Sequence, residues 1–164
     1  MSNEREQLLR RFDELRIKVS TVSYPPHRSV REGKALRGEM HGTFTKNLLL
    51  KDKKGRLFLI VAHEDRELDL KSLHSRIGAS RSLKFASAEQ MHDVLKIVPG
   101  ALTPLAVIND AEGLVTVVID SALMETEQLN FHPLVNTAST GISADDLIVF
   151  IASCGREAQI TDLV

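Results

Sequence analysis

Cysteine occurs once, at Cys154, which excludes an intramolecular disulfide framework and any multi-cysteine zinc site. Tryptophan is absent and aromatic residues make up 4% of the chain, which argues against a base-stacking platform of the kind that single-strand binders use. No stretch approaches ~18 uncharged apolar residues, and nothing near the start joins a basic segment to an apolar one. Neither membrane insertion nor secretion is indicated, and a reducing, cytoplasmic setting is expected. The G-x-S-x-G elbow, the P-loop and G-x-G-x-x-G are all missing. His63-Glu64-Asp65 lacks the second histidine of H-E-x-x-H, and the spacing of His27, His41, His63, His74, His92 and His132 fits no zinc motif, so neither a metal site nor a cofactor is expected. What remains is ordinary for a globular chain: 164 residues, 43% hydrophobic and 26% charged. One domain over residues 1–164 is expected, large enough to bury roughly 68–70% of its unfolded surface.

Net charge is −1, but its distribution is uneven. Residues 1–100 carry 20 of the 21 Lys and Arg against 13 acids, whereas the last 64 residues carry one Arg against nine acids. Local basic surface can bind a polyanion even when total charge is near zero. Sequence halves also mix in space, and charge alone does not choose between these outcomes.

Helical spacing of Leu8, Phe12 and Leu15 after Ser2 or Asn3 predicts a first helix packed on one stripe. Ile17 to Tyr24 is predicted as a strand, ended by Pro25-Pro26. Ser29-Val30-Arg31-Glu32 is a capping box for a short helix near Lys34 and Leu36. Phe44–Asp52 and Arg56–His63 flank Lys53-Lys54-Gly55 and read as a β-hairpin. Asp69 is placed as the cap of a helix through Ile77 closed by Gly78. Leu83–Phe85 reads as a short strand, and Ser87-Ala88-Glu89-Gln90 as a capping box opening a helix to Leu95. After the Val98–Pro104 loop, Leu105–Ile108 and Leu114–Ile119 are predicted as a second hairpin around Asn109–Gly113. Ser121 is expected to cap a brief helix through Met124, Val135–Thr137 to be a strand, Asp145–Ser153 a helix capped by Ser143, and Ala158–Thr161 a last strand. This order is no regular alternation. It predicts an α+β fold with a mixed, mainly antiparallel sheet wrapped by helices.

Two groups of polar residues have bland explanations. Cys154, between Ser153 and Gly155 at an apolar helix end, reads as a small buried hydrophobe. Glu64, Asp65, Glu67 and Asp69 read as a solvated turn with an N-cap. Lys46 is less easily placed. On a strand, Phe44, Lys46, Leu48 and Leu50 share one face, so a lysine stands in line with three large apolar residues. It either runs its stem along that surface to water or is held at the mouth of a pocket.

Three stretches then carry a resemblance. Gly42-Thr43-Phe44-Thr45-Lys46-Asn47-Leu48-Leu49-Leu50-Lys51-Asp52, followed by Gly100-Ala101-Leu102-Thr103-Pro104 and by Asn130-Phe131-His132-Pro133 with Asn136 and Thr137, resemble the YbaK/ProX aminoacyl-tRNA editing family. These are free-standing relatives of the bacterial prolyl-tRNA synthetase insertion domain. The similarity runs from about Leu8 to Ile160, and within the family it is strongest to the alanyl-tRNA(Pro) deacylases. It implies a partly barrel-like sheet and a trans-editing hydrolase that removes a wrong amino acid from tRNA without a cofactor, with prolyl-tRNA synthetase as a transient partner. By position, Lys46 matches the family's essential lysine, orienting the phosphate and ribose end of the tRNA. Gly100 and Ala101 match a loop whose backbone N–H groups can approach the ester carbonyl. Thr45, Asn47, Leu102, Pro104, Phe131 and His132 are the substrate-binding candidates. Arg10, Arg11, Lys34, Arg37, Lys51, Lys53 and Lys54 are candidates for contact with tRNA phosphates. Cysteinyl- or seryl-tRNA as substrate, and a non-catalytic nucleic-acid-binding module of the same fold, are the alternatives.

Overall fold

A computed structural model describes residues 3–25 and 41–164 of the chain. The Ser29–Glu32 capping box, the short helix near Lys34, Lys34 itself and Arg37 lie outside the described residues. The strands are β1 (Ser20–Ser23), β2 (Thr43–Lys51), β3 (Leu57–His63), β4 (Lys84–Phe85), β5 (Val115–Asp120), β6 (Leu129–Phe131), β7 (Ala138–Ile142) and β8 (Gln159–Thr161). The α-helices are α1 (Asn3–Glu14), α2 (Leu73–Ile77), α3 (Ala88–Leu95) and α4 (Ala144–Ser153).

Strand order is β1-β7-β6-β2-β3-β5-β8, with β4 set against the far end of β2. Pairing is antiparallel for β1–β7, β6–β7, β2–β3 and β2–β4, and parallel for β2–β6, β3–β5 and β5–β8. This is the expected α+β fold with a mixed sheet, antiparallel pairings being the more numerous. The β2–β3 hairpin runs in continuous register from Thr45↔His63 to Lys51↔Leu57. Gly55 closes its turn at φ 84°, a left-handed conformation that glycine adopts without steric cost.

Both faces of the central strands are covered, so β3 is apolar from Leu57 to Ala62 rather than alternating. One face packs Leu49, Leu59, Val61, Val117 and Ile119 against α1, α4 and the 101–107 segment. The other packs Leu50, Phe58, Ile60 and Val118 against Leu73 and Ile77 of α2 and against Leu163. The stripe on α1 holds as read: Leu8 and Phe12 are buried, and the Phe12 ring meets that of Phe150 at 5.2 Å between centroids.

Several boundaries differ from expectation. Arg16 turns left-handed at φ 57° and the Ile17 N–H donates to the Phe12 carbonyl, so the first residues of the predicted Ile17–Tyr24 strand are spent on the reversal. Leu105–Ile108 is no strand, so the predicted hairpin around Asn109–Gly113 does not form. Pro104–Asn109 forms a 3₁₀ helix, started by the Thr103 hydroxyl, which accepts from the Leu105 N–H, and by Pro104 with its fixed φ. Leu105, Ala106 and Val107 are all buried, and an apolar run enclosed on every side shows no period by which strand and helix differ. α2 begins at Leu73 instead of Asp69, whose carboxylate accepts from the Lys71 N–H and the Ser72 hydroxyl in a preceding turn. Asp120, not Ser121, caps the Ser121–Glu125 3₁₀ helix. Val135–Thr137 is a turn between β6 and β7, with Leu134 left-handed at φ 70°. The capping box of Ser87 and the Ser143 cap form as predicted.

Candidate functional site

The edge of β2 that faces away from β3 is divided between two partners. β6 takes Thr43 and Phe44, and β4 takes Leu50 and Lys51. No described strand pairs with residues 45–48 on that edge, and this gap holds Thr45, Lys46 and Asn47. Lys46 stands opposite Ala62, a small neighbour. It is half-buried and makes no ion pair among the described residues, so its charge is available to a ligand. The Asn47 amide donates to the Thr45 hydroxyl at 3.5 Å, while its enclosed Oδ1 has no hydrogen-bond partner among the described residues.

The segments that carry the resemblance are fastened to one another. Asn130, 3% exposed, donates from Nδ2 to the carbonyls of His41 (2.9 Å) and Thr43 (3.5 Å), and Gln128 Nε2 donates to the same His41 carbonyl at 3.0 Å. Thr45 Oγ1 donates to the Asn130 carbonyl at 3.3 Å. So close an approach requires glycine at position 42: its φ is 100°, and a Cβ there would lie 2.8 Å from Asn130 Nδ2 and 2.9 Å from the Gln128 carbonyl. Lys46 follows the paired Phe44 by two residues along β2, and His132, just past the end of β6, follows Phe44's partner Asn130 by two. The His132 ring is oriented by a 3.1 Å hydrogen bond between Nδ1 and the Ala138 carbonyl.

Gly100 lies exposed in the Pro99–Ala101 3₁₀ turn and abuts the segment after His132: a Cβ on it would lie 3.3 Å from Asn136 Nδ2. The Ala101 N–H is already given to the Val98 carbonyl at 2.9 Å, which leaves the Gly100 N–H as the backbone donor of this loop to consider. Ala101, Leu102, Pro104 and Phe131 are buried, and Ala101, Leu102 and Phe131 are part of the main core, so these four back the site from within.

The basic candidates separate. Arg10 is exposed, but the Arg11 guanidinium is tied to the Ser153 carbonyl and hydroxyl, both at 3.1 Å, and serves to join α1 to α4. Lys53 and Lys54 are exposed on the hairpin turn, and Lys51 faces Lys84 of β4 directly. Asp52, 3% exposed, organises this end of the strand. Its carboxylate accepts from the N–H groups of Lys54, Arg56 and Ser80 and from Arg56 Nε, at 2.9–3.0 Å. Burial alone would raise its pKa, but hydrogen bonds from the Ser80 and Arg56 backbone and from the Arg56 guanidinium outweigh it and hold the carboxyl well below its usual range.

A model of the aminoacyl-tRNA editing domain matches residues 24–150, which contain all three motif segments. The chain belongs to the aminoacyl-tRNA editing domain family. It is 32% identical over 160 residues to the prolyl-tRNA editing protein ProX of Acetoanaerobium sticklandii, covering 97% of each chain. It is also 34% identical over 163 residues to prolyl-tRNA synthetase associated domain-containing protein 1 of Mus musculus, covering 97% of this chain and 96% of that one. A solved structure described as a candidate trans-editing enzyme for prolyl tRNA synthetase superimposes with a TM-score of 0.72 at 19% identity, covering 99% of this chain and 98% of the other, and shows the shared fold. Editing domains of this family are typically deacylases, and membership implies mischarged tRNA as substrate. Among the described residues no three His, Cys, Asp or Glu side chains converge as a metal site would require, and no helix is long and apolar enough to cross a membrane.

Residues that the sequence did not single out include Asn130 and Asp52, the two anchors at opposite ends of β2, and the cations Lys71, Arg81 and Lys84. Asn130 stood within a quoted motif, and its spacing from Gly42 gave no sign that the two touch.

Proposed function

We propose that the protein is a trans-editing aminoacyl-tRNA deacylase that hydrolyses alanyl-tRNA(Pro) and spares prolyl-tRNA(Pro). The observation that carries this is the fastening of Lys46 and Asn47 on β2 to His132 beyond β6, through Asn130 and Thr45, with Gly100 against Asn136. Lys46, unpaired within the described residues, holds the phosphate and ribose of the terminal adenosine. The Gly100 N–H meets the oxygen of the ester carbonyl as charge develops on it. His132 flanks the amino acid, Asn47 steadies Thr45 from the opposite face of β2, and Phe131 and Leu102 keep the floor behind rigid. Water attacks the carbonyl carbon and gives a proton to the neighbouring ribose hydroxyl, which passes its own proton to the departing ester oxygen as the C–O bond breaks, releasing free amino acid and the tRNA 3′ end with its hydroxyl restored. Positioning is then the main catalytic contribution. Discrimination rests on size: a hydrophobic synthetase pocket separates substrates differing by one methylene by only ~1–3 kcal/mol, so a second site that admits the smaller side chain removes the error.

The test is ester loss from tRNA(Pro) charged separately with alanine, cysteine, serine and proline, with Lys46→Ala alongside. Alanine is expected to be lost and proline retained, with Lys46→Ala folded and at least ~100-fold slower, about 2.7 kcal/mol of transition-state stabilisation. Wild-type rates in the variant would overturn the role of Lys46. Cysteine or serine loss alone would change the substrate, and stability of every ester would favour a binding module.

A further inference from the structure

The row in which Lys46 stands continues across the sheet to a buried carboxylate. Lys46 is opposite Ala62 on β3. Val61 is opposite Ile119 on β5, so the next pair along is Ala62 with Asp120, and Asp120 is opposite Thr161 on β8. In the adjoining row, two residues away on each strand, Leu48, Ile60 and Val118 all pack in the cluster with Leu50 and Phe58. Side chains two apart share a face, so Lys46, Ala62 and Asp120 lie on one face as well. Two strand spacings of ≈ 4.7–4.9 Å put the backbones of Lys46 and Asp120 about 10 Å apart. The residue between them is the smallest in the Leu57–Ala62 run, and an alanine methyl does not bar a four-methylene stem from crossing to the carboxylate.

Arg66 already holds that carboxylate. Asp120 is 1% exposed, its Oδ2 lies 2.8 Å from Arg66 Nε, and its Oδ1 accepts from the Ala122 N–H at 3.5 Å. Neither Arg66 Nε nor Asp120 Oδ2 has a hydrogen-bond partner among the described residues, so the two charges depend on each other. Arg66 comes from the turn after β3, where its N–H donates to the His63 carbonyl at 3.0 Å, and its Nη2 also reaches Asp162 Oδ1 at 3.4 Å. The side chain is 30% exposed beside a concavity of about 300 Å³, whose wall it shares with His63, Asp120 and Leu123. The Arg76 guanidinium is committed nearby, donating to the Asp162 carbonyl at 3.2 Å. A carboxylate this enclosed cannot stand uncompensated, and without Arg66 the cation in its own row is Lys46. We propose that Arg66 is a positioning residue for Lys46: by occupying Asp120 it keeps the Lys46 ammonium from crossing Ala62 and leaves it at the opening on β2. The consequence for ester hydrolysis rests on the deacylase reading of Lys46, whereas the competition for Asp120 does not.

The experiment follows Lys46 itself. Trace acetylation by acetic anhydride, read by peptide mass spectrometry, reports each free amine, with the exposed Lys53 and Lys54 as internal references. An opposite charge beside an ammonium holds it protonated, and only the neutral amine is acetylated. Relative to the references, Lys46 in Arg66→Met is expected to react at least ~threefold more slowly than in wild type, and to recover in Arg66→Met/Asp120→Asn, where Oδ1 still serves the Ala122 N–H. A loosened fold would speed the labelling of Lys46, so a fall separates capture by Asp120 from general damage. Hydrolysis of alanyl-tRNA(Pro) is expected to drop at least ~tenfold in Arg66→Met and to return to within ~threefold of wild type in the double variant. Should Arg66→Met not fold, Arg66→Gln, which keeps a donor without the charge, carries the same expectations. Labelling of Lys46 that is unchanged or faster in the single variant, no recovery in the double variant, or hydrolysis at the wild-type rate by a protein whose Lys46 is captured would each overturn the proposal. If the wild type hydrolyses no ester while labelling falls and recovers as expected, the deacylase reading fails and the guarding of Lys46 by Arg66 stands.

Discussion

Replacing Asp52 by alanine removes the acceptor that ties the β2–β3 turn to the 78–82 segment. The side chain is fully enclosed and receives four hydrogen bonds at 2.9–3.0 Å, three from backbone N–H groups and one from the half-exposed Arg56 guanidinium. Each bond to a charged acceptor contributes ≈ 1.5–3 kcal/mol net, but the turn donors at Lys54 and Arg56 regain water once the carboxylate is gone. Removing one partner of a buried pair costs ~3–5 kcal/mol, and the exposure of Arg56 puts this case at the lower end, about 3 kcal/mol. For a chain of this size that corresponds to a Tm lower by roughly 6–12 °C. Urea unfolding of wild type, Asp52→Ala and Asp52→Asn measures it, with Asn expected to keep part of the stability by accepting through Oδ1. The pH dependence has a definite sign. The folded carboxyl is held below its ordinary value of 3.8, so its contribution is complete above that value and fades as pH falls through the folded-state pKa. The gap between wild type and Asp52→Asn is therefore constant from neutrality to about pH 5 and narrows in stronger acid. A loss below about 0.5 kcal/mol for Asp52→Ala, or a gap that widens in acid, would show that Asp52 does not anchor this end of the strand.

Two further substitutions probe the frame. Gly42→Ala must place a Cβ at φ 100° against Asn130 Nδ2 and the Gln128 carbonyl, and is expected to cost about 2–4 kcal/mol in urea unfolding; a variant as stable as wild type would mean that the β2–β6 clamp yields easily. Arg156 is 10% exposed, pairs with the buried Asp110 and also donates to the carbonyls of Val107, Val115, Asp110 and Cys154. Arg156→Ala is expected to destabilise by ~3–5 kcal/mol by leaving that carboxylate unmatched, and thermal unfolding beside Asp110→Asn/Arg156→Ala reads how much of this is the abandoned charge.

The sequence makes local features legible wherever their cause is local. The Ser87 capping box, the Ser143 cap, the Gly55 turn and the stripe of Leu8 and Phe12 each depend on residues within a few positions of one another, and each forms as predicted. Leu105–Ile108 was illegible because its surroundings, α1, α3 and α4, are brought by distant parts of the chain and remove the polar face that would have revealed a period. The motif segments gave the family and their own order, but not the contacts among them. That Asn130 grips the carbonyls of His41 and Thr43, or that Gly100 touches Asn136, depends on β2 pairing with β6 in parallel, a long-range choice that no spacing encodes. Charge gave no sign of one tie: Arg11, a candidate for tRNA phosphates by the resemblance, also joins α1 to Ser153 of α4.

The divided edge of β2 has an effect on how such a protein can change. Along its other edge β2 is paired with β3 without a break from Thr45 to Lys51, so the strand behaves as a rail whose stiffness does not depend on what lies in the opening. The material bordering that opening comes from separate connections: the turn after β6, the 98–104 segment and the connection that follows β4. Each can be lengthened, shortened or repacked without moving Lys46 relative to its neighbours on β3. A common lysine can thus stay in place while the walls around it are exchanged, and one scaffold can be refitted to different side chains by editing its borders alone.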